Sequence, residues 1–293
     1  TTAIGDLTIN STAGTGTIDI EQIGDGDNVG GVRGTVAIGN AATAQVEFDG
    51  TIYKFENVTG ASDTVTITAS DTGEVIDFTA GAAVTILTIG QDAGAGNTTA
   101  GNAISFNTGT IDLDNGSNLT INSNGGAVTI KGIRGDSSET VTIDANKTGG
   151  TASATETISI GTDGIGSADQ IGAIALTATD GVTLGGNITL ADSAGADLTV
   201  TGAAFISGDV TIGGDNTTND ATVTFSSTID GVAGGSDDDL IINFGDTASG
   251  GTLSLGGVIG GSQALTTLDI NQGGGTGAFT LPGVGSGGNA GVS

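Results

Sequence analysis

The chain has 293 residues, of which 56 are Gly, 33 are acidic and 5 are basic, so its formal net charge is -28. It contains no Cys, His, Met or Trp, which excludes disulfides, zinc sites built from Cys or His, His-based triads and thiol nucleophiles. The few scattered Lys and Arg exclude nucleic acid and anionic membrane surfaces as expected partners, because both require a cationic surface. No apolar stretch approaches the length of a membrane helix, so membrane insertion is not expected.

Small and β-branched residues dominate the sequence, and helix-forming residues are scarce. Gly, Thr, Ala, Ile, Asp, Val, Ser and Asn make up most of the chain. Such residues favour strands joined by tight turns, and no window shows the apolar periodicity of an amphipathic helix. The predicted fold class is all-β.

The predicted strands share an alternating pattern, most often apolar-Thr-apolar, bounded by Gly, Asn or Asp. Alternation places the aliphatic side chains on one face of a strand and the polar ones on the other. In chain order the clear examples are Leu7–Ile9, Thr17–Ile20, Val36–Ile38, Val65–Ile67, Leu119–Ile121, Val128–Ile130, Val141–Ile143, Leu198–Val200, Val210–Ile212 and Leu253–Leu255. The pattern predicts a buried aliphatic ladder beneath a polar surface.

Segment 45–58 differs from its surroundings because it holds the only Tyr and two of the 8 Phe residues. It reads as a hairpin with its turn at Asp49-Gly50. We expect either a local hairpin that covers the remaining β-structure or a protruding insert that serves as a contact patch.

Three pairs of carboxylates lie two residues apart in Gly- and Asn-rich loops, and calcium is the cation that such oxygen ligands suit best. They are Asp25 with Asp27, Asp112 with Asp114, and Asp237 with Asp239. The last pair lies in a segment, 234–241, that looks like one degenerate copy of the calcium-binding nonapeptide of RTX proteins, but Asp237 replaces an expected Gly and no tandem copy follows. The alternative is that Asp, Asn and Gly only form turns here.

Longer matches recur at about 75–80 residues. At this spacing Asp63-Thr-Val-Thr-Ile aligns with Glu139-Thr-Val-Thr-Ile, and Asn118-Leu-Thr-Ile aligns with Asp197-Leu-Thr-Val. We therefore expect degenerate repeats over residues 1–272 and, at residues 273–293, a Gly-rich tail or the start of a further repeat. The favoured architecture is a parallel β-helix, or β-solenoid. The alternative, tandem β-sandwich domains, needs separate aromatic-centred cores that this composition supplies poorly.

Strings such as Thr183-Leu-Gly-Gly-Asn-Ile-Thr-Leu and Asp209-Val-Thr-Ile-Gly-Gly, and the segment Gly256–Ile270, resemble the β-strand-repeat regions of giant bacterial surface proteins. These regions belong to filamentous-haemagglutinin-like adhesins and to surface-layer-like proteins. The resemblance implies export to the cell surface, a β-helical shaft, and a role in adhesion, biofilm formation or surface coating.

Three functions follow as hypotheses. The first is a structural or adhesive extracellular protein that forms part of a filament, a surface layer or an adhesin shaft. Neither terminus shows a helix that caps the open ladder, so we expect either that the chain continues in both directions or that copies self-associate end to end or laterally. The second is a module that binds a glycan or a receptor on a host or neighbouring cell through segment 45–58. The third, a phage-like tailspike enzyme, is disfavoured because the aromatic and basic residues that such enzymes use on sugars are nearly absent.

Overall fold

Short strands, most of which bury alternate side chains, are the main elements of the described part of the chain. The structure is a computed structural model, and it describes residues 5–11, 16–24, 31–57, 63–70, 74–90, 100–114, 116–136, 138–148, 155–166, 169–214, 221–235, 237–244, 251–271 and 281–285. Every sequence-predicted strand named above lies within an observed strand.

Twenty-six strands are present among these residues. The first thirteen are β1 (Leu7–Ile9), β2 (Thr17–Ile20), β3 (Val32–Arg33), β4 (Val36–Ile38), β5 (Gln45–Phe48), β6 (Ile52–Asn57), β7 (Thr64–Thr68), β8 (Glu74–Phe78), β9 (Ala83–Gly90), β10 (Ala103–Thr108), β11 (Thr110–Leu113), β12 (Asn118–Asn122) and β13 (Val128–Gly135). The others are β14 (Val141–Asp144), β15 (Thr157–Ile165), β16 (Ile174–Thr177), β17 (Gly181–Leu184), β18 (Ile188–Leu190), β19 (Leu198–Thr201), β20 (Ala204–Ile206), β21 (Asp209–Gly214), β22 (Thr222–Phe225), β23 (Ile229–Gly231), β24 (Asp239–Asn243), β25 (Thr252–Leu255) and β26 (Thr267–Asn271).

The chain divides into two compact units. Unit 1 comprises Thr1–Ile133 and Thr142–Ile158, and unit 2 comprises Arg134–Val141 and Ser159–Ser293. Each unit is built from ladders of parallel strands, and each is described by itself below.

In unit 1 the strands form three parallel ladders. The first stacks β1, β4, β7, β10 and β13. The second stacks β2, β5, β8 and β11, and the third stacks β3, β6, β9 and β12. Because the chain visits the ladders in strict rotation, three consecutive strands form one rung of a β-helix.

Unit 2 has the same rotation. Its first ladder stacks β17, β20 and β23, and its second stacks β18, β21, β24 and β26. Its third ladder stacks β16, β19, β22 and β25. Isolated parallel bridges join Ile229 to Ile259 and Ile259 to Val284, and they extend the first ladder.

Aliphatic side chains stack in register inside each unit. In unit 1, Val36 lies beside Val65 and Ile38 beside Ile67, and all four are buried. The residues between them, Ala37 and Thr66, point to the opposite face, as the pleat of a strand requires. The core is therefore a set of aliphatic columns, as the alternating pattern predicts.

The prediction of a parallel β-helix is confirmed. All strand pairs in the described ranges are parallel, whereas a β-sandwich is built from antiparallel strands, so the alternative of tandem sandwiches is wrong. Parallel strands need a crossover between them, and each crossover here is the remainder of one rung.

Tight corners between strands depend on glycine where backbones nearly touch. Gly202, directly after β19, has a φ of 112°, and a Cβ there would lie 1.9 Å from the carbonyl oxygen of Ala178. Only glycine fits both the backbone conformation and the contact with the neighbouring rung.

The hairpin predicted for segment 45–58 is wrong. Strand β5 pairs with β2 and β8, and β6 pairs with β3 and β9, so the two strands belong to different ladders. Asp49-Gly50 forms a corner of the rung instead, and a Cβ on Gly50 would lie 1.5 Å from the carbonyl oxygen of Glu21 in the preceding rung. The described part of this segment forms parts of two sides of the β-helix with a corner between them, and it is not an insert.

The rungs differ considerably in length. Val182 aligns with Ala204 in the next rung of unit 2, whereas in unit 1 the chain between the aligned residues Val65 and Ile104 is much longer. The sequence repeat of about 75–80 residues is longer than one rung and stays a prediction, as does the boundary at residue 272. Within 273–293 the structure describes only residues 281–285.

Candidate functional site

Four acidic residues lie in register on consecutive strands of the second ladder of unit 1. Asp19 aligns with Glu47, Glu47 with Asp77, and Asp77 with Asp112. Neighbouring strands in a sheet are about 4.8 Å apart. We call these four residues the acidic column.

Strand alternation positions the acidic column. In β8, Ile76 and Phe78 are buried in the core on either side of Asp77, so the Asp77 side chain points to the opposite face. The exposure of the column falls along the ladder, because Asp19 is exposed and Glu47 is half-buried. Asp77 and Asp112 are each only 6% exposed.

Side-chain hydrogen bonds satisfy the column only in part. Gln45 Nε2 donates to Asp77 Oδ2, and Thr17 Oγ1 donates to Gln45 Oε1 at 3.1 Å. Thr79 Oγ1 donates to Glu47 Oε1 at 3.1 Å. The second oxygen of Asp77, Oδ1, is buried and accepts no hydrogen bond.

The electrostatic surroundings of Asp77 disfavour its charged form. Burial raises the pKa of the Asp77 carboxyl, and the negative charges of Asp114 and Glu47 raise it further, against the opposing effect of the Gln45 hydrogen bond. Like charges directly opposite each other on neighbouring strands are destabilising. The acidic column is therefore a concentration of negative charge without full compensation at Asp77.

Of the first two acidic pairs predicted to bind calcium, one lies at the acidic column and the other lies outside the described residues. Asp112 is a strand residue of β11 and part of the acidic column, and Asp114 follows that strand closely enough to act on Asp77. Asp25 and Asp27 lie outside the described residues. Within the described ranges, no three acidic side chains converge on a common metal position. Calcium binding stays a prediction.

In unit 2, the predicted pair Asp237 and Asp239 flanks a carboxylate that the sequence reasoning missed. Asp237 is exposed, and Asp239 is the first residue of β24. Asp238 between them is 3% exposed. Its Oδ1 accepts a hydrogen bond from the Gly208 amide at 3.0 Å, and its Oδ2 accepts one from the Val232 amide at 3.0 Å. Asp238 therefore fixes its own loop to the segment at Gly208, and this second contact, 30 residues away, leaves no local signal in the sequence.

The aromatic residues of segment 45–58 are part of the core. Phe48 stacks on Phe78 with ring centroids 4.9 Å apart and meets Tyr53 edge-on at 4.8 Å. The Tyr53 hydroxyl donates to the Ile20 carbonyl at 2.9 Å and accepts from the Gly50 amide at 2.8 Å. Burial raises the pKa of this phenol. The segment's aromatic side chains stabilise unit 1 and do not form a contact patch.

Unit 2 carries a shallow polar groove on the outer face of its second ladder. Thr189, Gly213 and Asn243 align on β18, β21 and β24, and these three residues line a notch of about 200 Å³. Asn187 and Thr211 also line it, and the Asn187 side chain is held there because its Oδ1 accepts from the Thr211 amide at 2.8 Å. The lining contains no charged side chain.

Models of known protein families do not match this sequence, and searches of curated proteins and of solved structures also return no match. The described part of the chain holds no helix with the length and hydropathy needed to cross a lipid bilayer. The class of the protein is therefore defined by its fold, an all-β chain of stacked parallel strands.

Proposed function

We propose that the chain is a structural or adhesive protein of a microbial cell surface, forming part of a filament, a surface layer or an adhesin shaft. The observation that carries this proposal is the in-register aliphatic core of both units. Such a core spreads stability over every rung, and a β-helix lengthens by about 4.8 Å for each rung added. This design suits a load-bearing or spacing element.

Composition supports an extracellular setting. Strong acidity keeps a Gly-rich chain with much β-structure in solution, because molecules of like charge repel each other. The resemblance of Gly256–Ile270 and similar strings to the repeats of filamentous-haemagglutinin-like and surface-layer-like proteins points the same way. We expect no enzymatic role and expect copies of the chain to associate end to end or laterally.

Electron microscopy and sedimentation velocity on the purified chain test the structural proposal. We expect ordered fibres or lattices, together with a sedimentation coefficient that rises with protein concentration. Isolated particles at every concentration, with no binding to cells or to coated surfaces, would contradict both the structural and the adhesive role.

A second candidate function is glycan binding, which the polar groove of unit 2 favours. Its hydroxyl and amide groups suit a neutral saccharide, whereas the net charge of -28 repels acidic polysaccharides. Thr189→Val keeps the shape of the side chain and removes one hydroxyl from the groove. Isothermal titration with neutral oligosaccharides should show weaker binding by Thr189→Val and unchanged binding by Thr199→Val, which alters an exposed residue of another ladder. Equal binding by both variants would exclude the groove.

A further inference from the structure

We propose that the acidic column of unit 1 binds a divalent cation, calcium by its ligand chemistry, which bridges Asp77 to a carboxylate of a neighbouring rung. Glu47 lies beside Asp77 on one side and Asp112 on the other. Neither Asp77 nor Glu47 belongs to the acidic loops from which calcium was predicted, and the register of the strands alone brings them to Asp112.

The orphaned oxygen of Asp77 is the observation that points to a ligand. Asp77 is only 6% exposed, yet its buried Oδ1 has no hydrogen-bond partner. A buried carboxylate oxygen without a donor costs free energy, and the cost grows when other carboxylates are close. The similarly buried Asp238 avoids this cost, because both of its oxygens accept backbone amides.

The charges around Asp77 are of one sign. The charges that act on Asp77 are those of Asp114 and Glu47, and both are negative. Like charges on neighbouring strands repel each other, and this repulsion adds to the cost of burying the charged Asp77 side chain. A bound cation would reverse this effect, because its charge favours the ionised form of every carboxylate beside it.

The spacing of the column sets the kind of site. Three acidic groups do not meet at one point within the described ranges, so the cation lies between two neighbours about 4.8 Å apart along the ladder. Water can complete the oxygen shell, since calcium accepts 6–8 oxygens in flexible geometry. With so few charged ligands the affinity belongs to the weak class, about 0.1–1 mM, which is typical of extracellular calcium modules.

The test compares calcium binding by the wild-type chain and by Asp77→Asn at neutral pH after treatment with a chelator. Isothermal titration with calcium chloride should give a saturable site in the wild type and at least a tenfold loss of affinity in Asp77→Asn. The thermal unfolding midpoint of the wild type should rise with calcium concentration, because a ligand that binds only the folded state stabilises it, and this rise should disappear in the variant.

Two controls separate a specific site from general screening of the negative charge. Asp269→Asn makes the same charge change at an exposed position of unit 2 whose in-register neighbour is Ile241, and it should keep the full calcium response. Sodium chloride at matched ionic strength should not reproduce the calcium effect on the wild type.

The variant remains informative without calcium. Asp77→Asn removes a buried charge and keeps the size of the side chain, so we expect it to fold and to be at least as stable as the chelated wild type at neutral pH. An equal calcium response in Asp77→Asn and the wild type would overturn the proposal. The absence of any calcium response in the wild type would also overturn it. Neither result would contradict the proposed structural function, which fibre formation tests.

Discussion

Individual buried polar groups in this chain fall into two kinds, those that receive hydrogen bonds and those that do not. Asp230 is 4% exposed, and its Oδ1 accepts the Ser262 amide at 2.7 Å. Glu139 is 1% exposed, and its Oε2 accepts the Asp136 amide at 2.7 Å. These carboxylates connect loops to the ladders. The buried groups without hydrogen-bond partners lower the free energy of unfolding instead.

Asp77 should make unit 1 more stable in mild acid than at neutral pH when calcium is absent. Its pKa in the folded state is raised above the ordinary value, so the folded state binds the proton more tightly than the unfolded state does. The stabilisation is complete below the unfolded pKa, near 4, and is lost as the pH rises through the folded pKa. The measurement is urea unfolding by circular dichroism at several pH values between 4 and 7. The difference in unfolding free energy between the wild type and Asp77→Asn should grow in favour of the wild type as the pH falls, and a constant difference would refute this interpretation.

Lys54 is a buried basic residue of unit 1 whose charged group, like Asp77 Oδ1, has no hydrogen-bond partner. It lies on β6, is 5% exposed, and its Nζ has no hydrogen-bond partner. Replacing a buried polar group that lacks a partner with an apolar one of similar length removes a desolvation cost. We expect Lys54→Met to raise the free energy of unfolding by about 1–2 kcal/mol in urea titrations. Lys131→Met, on β13, serves as the comparison because Lys131 has interactions to lose. A less stable Lys54→Met would show that the ammonium contributes to the fold.

At the scale of the element, stability comes from the aliphatic columns, in which buried side chains of successive strands stack on one another. Ile67 of β7 is 1% exposed, aligns with Ile38 of β4, and lies on a strand that β10 flanks on its other side. Ile67→Ala should lower the free energy of unfolding by about 2–5 kcal/mol, because a tightly packed column cannot close the cavity. Thr66→Ala, one residue away on the outer face, should change it by less than about 1 kcal/mol. Similar losses in both variants, measured by chemical denaturation, would argue against a one-sided core.

Sequence patterns predict the strands of this chain well because alternation is a local property. Val65-Thr66-Ile67 specifies which face is buried without reference to any other rung. The partner of a strand is not local, and Asp49-Gly50 illustrates the difference. The same dipeptide can close a hairpin or turn a corner, and the choice depends on whether β5 pairs with β6 or with strands of the neighbouring rungs.

The acidic column shows the same limit for a candidate site. Asp112 and Asp114 are predictable as calcium ligands because they are two residues apart in a Gly- and Asn-containing segment. Glu47 and Asp77 are not predictable in this way, because each is a single acidic residue in an ordinary strand. Their alignment depends on the lengths of the rungs between them, and because rung length varies along the chain, no fixed spacing in the sequence reveals it.

At the scale of the whole molecule, charge opposes any association of copies. A net charge of -28 on 293 residues repels an identical chain, and the repulsion weakens as salt shortens the screening length to about 10 Å at 0.1 M and about 3 Å at 1 M. If copies associate through backbone ladders and aliphatic columns, as the structural function requires, that association should strengthen as sodium chloride rises, since apolar burial does not depend on charge. Sedimentation velocity at fixed protein concentration across this salt range should show growing assemblies. A sedimentation coefficient that falls with added salt would mean that copies are held together by ion pairs, which the 5 basic residues supply poorly, and it would count against stacking of the aliphatic core as the basis of assembly.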